Sequence, residues 1–108
     1  SLAVTPVTVS AFSSLSLVPP LVLLCIDAGA TILPHLREAA TFAVSILAMG
    51  QHALSRRFAD QAVSRFEGVA FTRGASGPAL IDGALAHIEC RFVALHPGGD
   101  HVIVGGGA

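Results

Sequence analysis

A proline pair, Pro19-Pro20, followed at once by the unbroken apolar run "LVLLCI" (21–26), limits this chain more than any other feature. Proline lacks an N–H, clashes with the preceding helical turn and restricts the residue before it, so no helix runs through the pair. The surrounding apolar stretch, "LVPPLVLLCI" (17–26), is also well short of the ~20 residues a membrane-spanning helix needs. A strand covered on both sides fits better, because "LVLLCID" (21–27) is apolar at successive positions and therefore on both faces. Ahead of it lies "TVSAFSSLSLVPP" (8–20), in which Thr8, Ser10, Ser13, Ser14 and Ser16 set five hydroxyls within nine residues. Any single one is explained by a turn, since Ser and Thr often satisfy their own backbone. The whole run, pinned by prolines beside a buried strand, offers hydroxyls and backbone N–H groups to one polar, planar or phosphorylated ligand.

The rest of the chain reads as strands with short helices between them. "SLAVT" (1–5) and "VTVSAF" (7–12) are two strands of a meander, the second with Val7, Val9 and Ala11 on one face and Thr8 and Ser10 on the other. After 21–27, Gly29 turns the chain and Thr31 serves as N-cap to a short helix, "ILPHLREAA" (32–40), whose Pro34 is tolerated in the first turn. "TFAVSILA" (41–48) is a strand, and "GQHALSRRFAD" (50–60) a helix with Leu54 and Phe58 on one face. The pattern weakens over 62–78, and "RGASGP" (73–78) reads as an exposed loop. A turn at Asp82-Gly83 opens a long strand at 84–95. Along it Leu85, His87, Glu89, Arg91 and Val93 share one face, and Ala86, Ile88, Cys90 and Phe92 the other. A turn at 97–100 enters a last strand. Without a βαβαβ rhythm, this is one mostly β domain over 1–108, an antiparallel barrel with small helices on its rim.

Composition narrows the function. Apolar residues make up 53% of the chain and charged ones 12%, against about 25% charged in ordinary proteins. The surplus apolar surface points to an oligomer interface. With a net charge of −1 and six Arg dispersed apart from Arg56-Arg57, there is no clustered basic face for nucleic acid. The absence of Lys excludes a P-loop and Schiff-base chemistry. Cys25 and Cys90 lie in apolar runs without a C-x-x-C, as reduced thiols of a cytoplasmic protein do. The terminal "GGG" lacks dinucleotide spacing, the five His form no H-x-x-x-H, and a paper triad of Ser13, His101 and Asp82 lacks a G-x-S-x-G elbow. From its start at Ser and its end in "GGGA", the sequence is expected to be a fragment, or an ordered part, of something longer.

"VTVSAFSSLSLVPPLVLLCID", "FAVSILAMGQHALSRRFA" and "DGALAHIECRFVALHPGGDHVIVGG" closely resemble, in order and spacing, the flavin reductase family. These are short reductases built on the FMN-binding split barrel that supply reduced flavin to two-component monooxygenases. The chain departs from the family in a shorter passage at Pro6-Val7, where a hairpin turn is missing, in Ser45 where Asn is usual, and in lacking a further strand after the Gly-Asp-His block. The resemblance implies a homodimer binding FMN, or FAD, in grooves near its interface, with NADH or NADPH as co-substrate and a flavin-dependent monooxygenase as acceptor. It implies that Thr8, Ser10, Ala11, Phe12, Ser13 and Ser14 line the flavin. Asp27, Thr31, Arg56 and Arg57 then surround the ribityl phosphate, Ser45 and Gln51 are further flavin-side residues, and His101 is the catalytic histidine near flavin and nicotinamide. Two rival readings share the barrel: a module that holds flavin, haem or a deazaflavin without turnover, and an oxidase of the pyridoxamine-phosphate type.

Overall fold

The computed structural model describes residues 7–9, 11–59 and 69–108. In chain order its elements are β1 (Ala11–Leu17), β2 (Pro20–Asp27), α1 (Leu33–Ala39), β3 (Thr41–Ile46), a 3-10 turn (Met49–Gln51), α2 (His52–Ala59), β4 (Phe71–Arg73), β5 (Ala79–Ile81), β6 (Ala86–Gly98) and β7 (His101–Gly107). Five strands form one sheet in the order β1-β2-β7-β6-β3, every neighbour antiparallel. β4 and β5 make a separate hairpin. The mostly β, antiparallel architecture expected from the sequence is thus present as a curled sheet, half of a barrel.

The order follows from which strands need cover. β2 lies inside the sheet, between β1 and β7. Its Val22, Leu24 and Ile26 point into the concave side and are buried, while Leu21, Leu23 and Cys25 are half-buried on the outer side. Around them pack Ala30, Leu36, Phe42, Cys90 and Val104, the last fully buried. Each of the Val, Leu, Ile and Phe side chains among them contributes about 1.5–3 kcal/mol over leaving it in water. Gly106 of β7 makes the packing possible, because a Cβ there would lie 2.7 Å from Cζ of Phe42 and 3.1 Å from Cβ of Cys90.

Both tight turns answer to particular residues. The loop between β6 and β7 is Gly99-Asp100, with Gly99 at φ +73 in the first central position, the glycine site of a type II′ turn. β1 and β2 are joined through Val18-Pro19, whose peptide bond is cis. Pro20 then opens β2, a strand position where a missing N–H is tolerated. β6 keeps the expected alternation as far as Phe92. An extra residue, Val93, bulges between Phe92 and Ala94 and exchanges the faces beyond it.

Several expectations are corrected. The hydroxyl run is itself the edge strand β1, whereas Val7 to Val9 are not in a strand. The N-cap of α1 is Ile32 rather than Thr31, without a side-chain cap bond; Pro34 at the helix start has removed one of the N–H groups a cap would serve. β3 stops at Ile46 instead of Ala48, since the Ala48 N–H donates to Gln51 Oε1 (2.9 Å) and draws the chain into the 3-10 turn. β6 runs to Gly98, past the expected end at Leu95. The exposed loop expected at 73–78 is present as the turn over 74–78 that joins β4 and β5, with Arg73 in β4. The strand expected at 1–5 and the segment 62–68 lie outside the described residues.

Candidate functional site

Cross-strand partners share a face, so strand register sorts the expected site residues into two groups. On the outer face Ala11 pairs with Cys25 and Cys25 with Ile103; Ser13 pairs with Leu23 and Leu23 with Gly105; Asp27 pairs with His101. Ala11, Ser13, Asp27 and His101 therefore belong to one surface. Its floor is Leu21, Leu23 and Cys25 of β2 beside the bare backbone of Gly105 and Gly107.

The His101 end of this surface is tied together by hydrogen bonds. Nδ1 of His101 lies 2.8 Å from Oδ1 of Asp100. A carboxylate only accepts, so Nδ1 carries the proton and Nε2 is left for another partner. The same bond, and then the charge of the imidazole, holds the Asp100 carboxyl below the usual aspartate range. The Ala28 N–H donates to Asp100 O (2.9 Å), and Oδ1 of Asp27 accepts the Gly29 N–H (2.8 Å). The turn after β2 and the β6–β7 hairpin are thereby joined, with His101 half-exposed between them.

The second group, Thr8, Phe12, Ser45 and Gln51, lines a cavity of about 910 Å³ whose other walls include Phe42 and Phe58. Phe12, partner of Leu24, faces the concave side, whereas Ser45, partner of His87, lies on the face of β3 opposite to that of Phe42. Thr8 is pinned to α2, its Oγ1 donating to Ser55 O (2.6 Å) and its N–H to Phe58 O (3.3 Å). Ser45 Oγ accepts the Ile81 N–H (3.3 Å). Gln51 is engaged at both ends of its amide, with Oε1 on Ala48 N and Nε2 donating to Asp82 O (3.0 Å), so it braces a turn.

Other expected residues are more scattered. Ser13 Oγ donates to Ser14 O (3.1 Å), and both serines are exposed on β1. Thr31 is exposed just before α1, and Arg56 is exposed on α2 and is not among the residues lining the cavity. Ser10 and the side chain of Arg57 lie outside the described residues. The paper triad is not assembled: Asp82 Oδ1 accepts from Thr72 Oγ1 (2.9 Å), while Ser13 and His101 are bonded to Ser14 and Asp100. Sequence reasoning missed Glu89 of β6, whose carboxylate accepts from Ser76 N (3.1 Å) and Ser76 Oγ (2.8 Å). The alternation along β6 set Glu89 beside His87 and Arg91, but nothing in the sequence announced the hairpin it holds.

A profile of the flavin reductase like domain matches residues 3–107. The chain belongs to this family. Among flavin reductase-like relatives, it is 45% identical over 101 residues to an NADH-dependent FAD reductase of Streptomyces globisporus, covering 89% of this chain and 56% of that protein. It is 48% identical over 99 residues to the reductase component of 4-hydroxyphenylacetate 3-monooxygenase of Thermus thermophilus, covering 92% and 61%. The fold superposes on the NADH:FAD oxidoreductase of Streptomyces globisporus C-1027 with a TM-score of 0.84 at 43% identity, over 94% of this chain and 62% of that one. It also matches the flavin reductase component of a bacterial two-component tryptophan halogenase, with a TM-score of 0.85 at 36% identity over 94% and 66%. The chain therefore spans a little over half the length of the curated flavin reductase relatives it matches.

Proposed function

We propose that this chain is the core of an NAD(P)H:flavin oxidoreductase, transferring a hydride from the nicotinamide to FMN or FAD and passing reduced flavin to a partner monooxygenase. The observation that carries the reading is the convergence of Ser13, Asp27 and His101 on one outer face beside the edge strand β1. The relatives' names support it, as an NADH-dependent FAD reductase and a monooxygenase reductase component. They favour NADH as the hydride donor.

The residues present fit a flavin. β1 has a strand neighbour on one side only, so alternate N–H and C=O groups along its other edge are without strand partners among the described residues. Those groups and the Ser13 hydroxyl match the alternating donors and acceptors of an isoalloxazine rim, and half-exposed Phe12 supplies apolar contact. A bound flavin supplies the hydride-accepting ring, which leaves the chain to orient two planar partners and stabilise charge. Backbone and hydroxyl donors over 10–14 stabilise the developing negative charge, as an oxyanion hole does. His101, oriented by Asp100, donates or accepts at Nε2 toward the nicotinamide. Thr8 and Ser45 support the cavity side, and Asp27 orders the turn leading to Thr31. Thr31, Arg56 and Arg57 serve the phosphate, Arg by its planar donor fork.

The outer face also supports the homodimer. Leu21, Leu23 and Cys25 are half-buried there, and Val93 and Ile103 are exposed at 47% and 36%. A second copy laid over this face covers them and brings two flavin sites close to the interface. Free Cys25 and Cys90 suit the cytoplasm, and no helix among the described residues is long and apolar enough to cross a membrane. Steady-state oxidation of NADH and of NADPH, each with FMN and FAD, tests the activity; flavin binding without nucleotide oxidation contradicts it and leaves a binding module. Sedimentation equilibrium tests the dimer.

A further inference from the structure

One wall of the cavity does not belong to the main sheet. The β4–β5 hairpin contributes Arg73, Ser76, Pro78 and Ile81 to the lining, yet pairs with no strand of that sheet. Ile81 is its buried apolar anchor, 8% exposed. Polar bonds hold the rest at two points. At the base, Ser45 Oγ accepts the Ile81 N–H (3.3 Å) and His87 Nε2 donates to Ile81 O (2.6 Å); Ser45 and His87 are themselves cross-strand partners on β3 and β6. At the tip, the Glu89 carboxylate accepts from both N–H and Oγ of Ser76, while Thr41 Oγ1 donates to Ser76 O (3.3 Å). Gly74 belongs to the same fastening, because a methyl group there would overlap the Glu89 carboxylate.

We propose that Glu89 is a positioning residue: through Ser76 it holds the 74–78 turn as a wall of the cavity and so sets the width of the cleft that receives the flavin. The inference rests on the flavin reductase reading and on the flavin reaching from the edge of β1 into the cavity that Thr8, Phe12 and Ser45 line. It assigns Glu89 no part in hydride transfer. Its two acceptor contacts converge on one serine at the tip of the hairpin, so removing them leaves the tip to the longer Thr41 Oγ1 bond (3.3 Å) while Ser45 and His87 still hold the base. The Glu89 carboxyl lies below its usual range, first because the Ser76 N–H and then because the Ser76 hydroxyl stabilise its charge, which accords with a fully formed contact.

The test compares the wild type with Glu89→Ala, Glu89→Gln and Gly74→Ala by equilibrium FMN binding, read from flavin fluorescence, and by hydrogen exchange. Glu89→Ala and Gly74→Ala should each raise the FMN Kd about fivefold, the loss of one ordinary hydrogen bond's worth of support. Both should speed exchange at 74–78 and leave the Gly99-Asp100 hairpin unchanged. Glu89→Gln keeps an acceptor oxygen and should stay within about twofold of the wild type. An unchanged FMN Kd in Glu89→Ala despite faster exchange overturns the proposal and leaves the flavin reading intact. Equal losses in the Ala and Gln variants also overturn it, since charge and not the contact with Ser76 then matters. A wild type that binds no FMN overturns the flavin reading and this inference together.

Discussion

Asp27 and His101 are cross-strand partners at the end of β2 and the start of β7, and His101 is fixed there by Asp100, its Nδ1 2.8 Å from Oδ1. The imidazole so held belongs to the outer face that carries Ser13. If His101 meets the nicotinamide as proposed, its loss affects one substrate more than the other. His101→Ala should lower kcat/KM for NADH by about tenfold, one hydrogen bond to a charged or polar group, while the FMN Kd changes little. Unchanged single-turnover reduction of bound FMN removes His101 from the site.

Ser13→Ala tests the edge strand. The hydroxyl is exposed and bonded to the adjacent Ser14 carbonyl, so its loss should leave Tm unchanged. Flavin binding should weaken by about 1 kcal/mol if that hydroxyl turns to the ligand. An FMN Kd equal to wild type places the flavin away from the hydroxyls of β1.

What the sequence disclosed and what it hid follow from how each segment is held. β2, β6 and β7 were legible because burial writes itself as an apolar run or a strict alternation, and Gly99-Asp100 is a hairpin signal in its own right. β1 was hidden: serine has little strand preference, and an edge strand exposed on both faces leaves no alternation to read. The β4–β5 hairpin was missed since its strands are three residues each and its attachments are polar bonds to Thr41, Ser45, His87 and Glu89, distant in sequence. Of the site, the neighbourhood of Asp27 and His101 depended on register, which single residues do not announce. Gln51 matched a ligand-side position by type, yet both ends of its amide brace a turn.

Two backbone substitutions should shift stability in opposite directions. Gly106→Ala drives a methyl group into Phe42 and Cys90 and should cost about 1–3 kcal/mol, read as a lower urea midpoint. Ala40 ends α1 at φ +62, a left-handed conformation that costs a residue with a Cβ roughly 1 kcal/mol or more. Ala40→Gly relieves that strain and adds unfolded-state freedom, so the midpoint should rise, by less than about 1 kcal/mol. A fall in the Ala40→Gly midpoint contradicts the assignment.

Acid should act through two carboxylates. Hydrogen bonding from His101, and secondarily its charge, lowers the Asp100 pKa; the N–H and then the hydroxyl of Ser76 lower that of Glu89. A depressed folded pKa means that the stabilisation is complete above the unfolded carboxylate value, about 4, and is lost as pH falls through the folded value. Carboxyl NMR titration should give both midpoints below those of unstructured peptides. His101→Ala should return Asp100 toward its ordinary range and leave Glu89 where it was; an Asp100 midpoint that does not move contradicts the bond.

The most direct test of the account is anaerobic stopped-flow absorbance of the purified chain with FMN, mixed against NADH and separately against NADPH. The account predicts rapid loss of the oxidised flavin band, faster with NADH. A bound flavin whose band persists through both mixings contradicts hydride transfer on this chain.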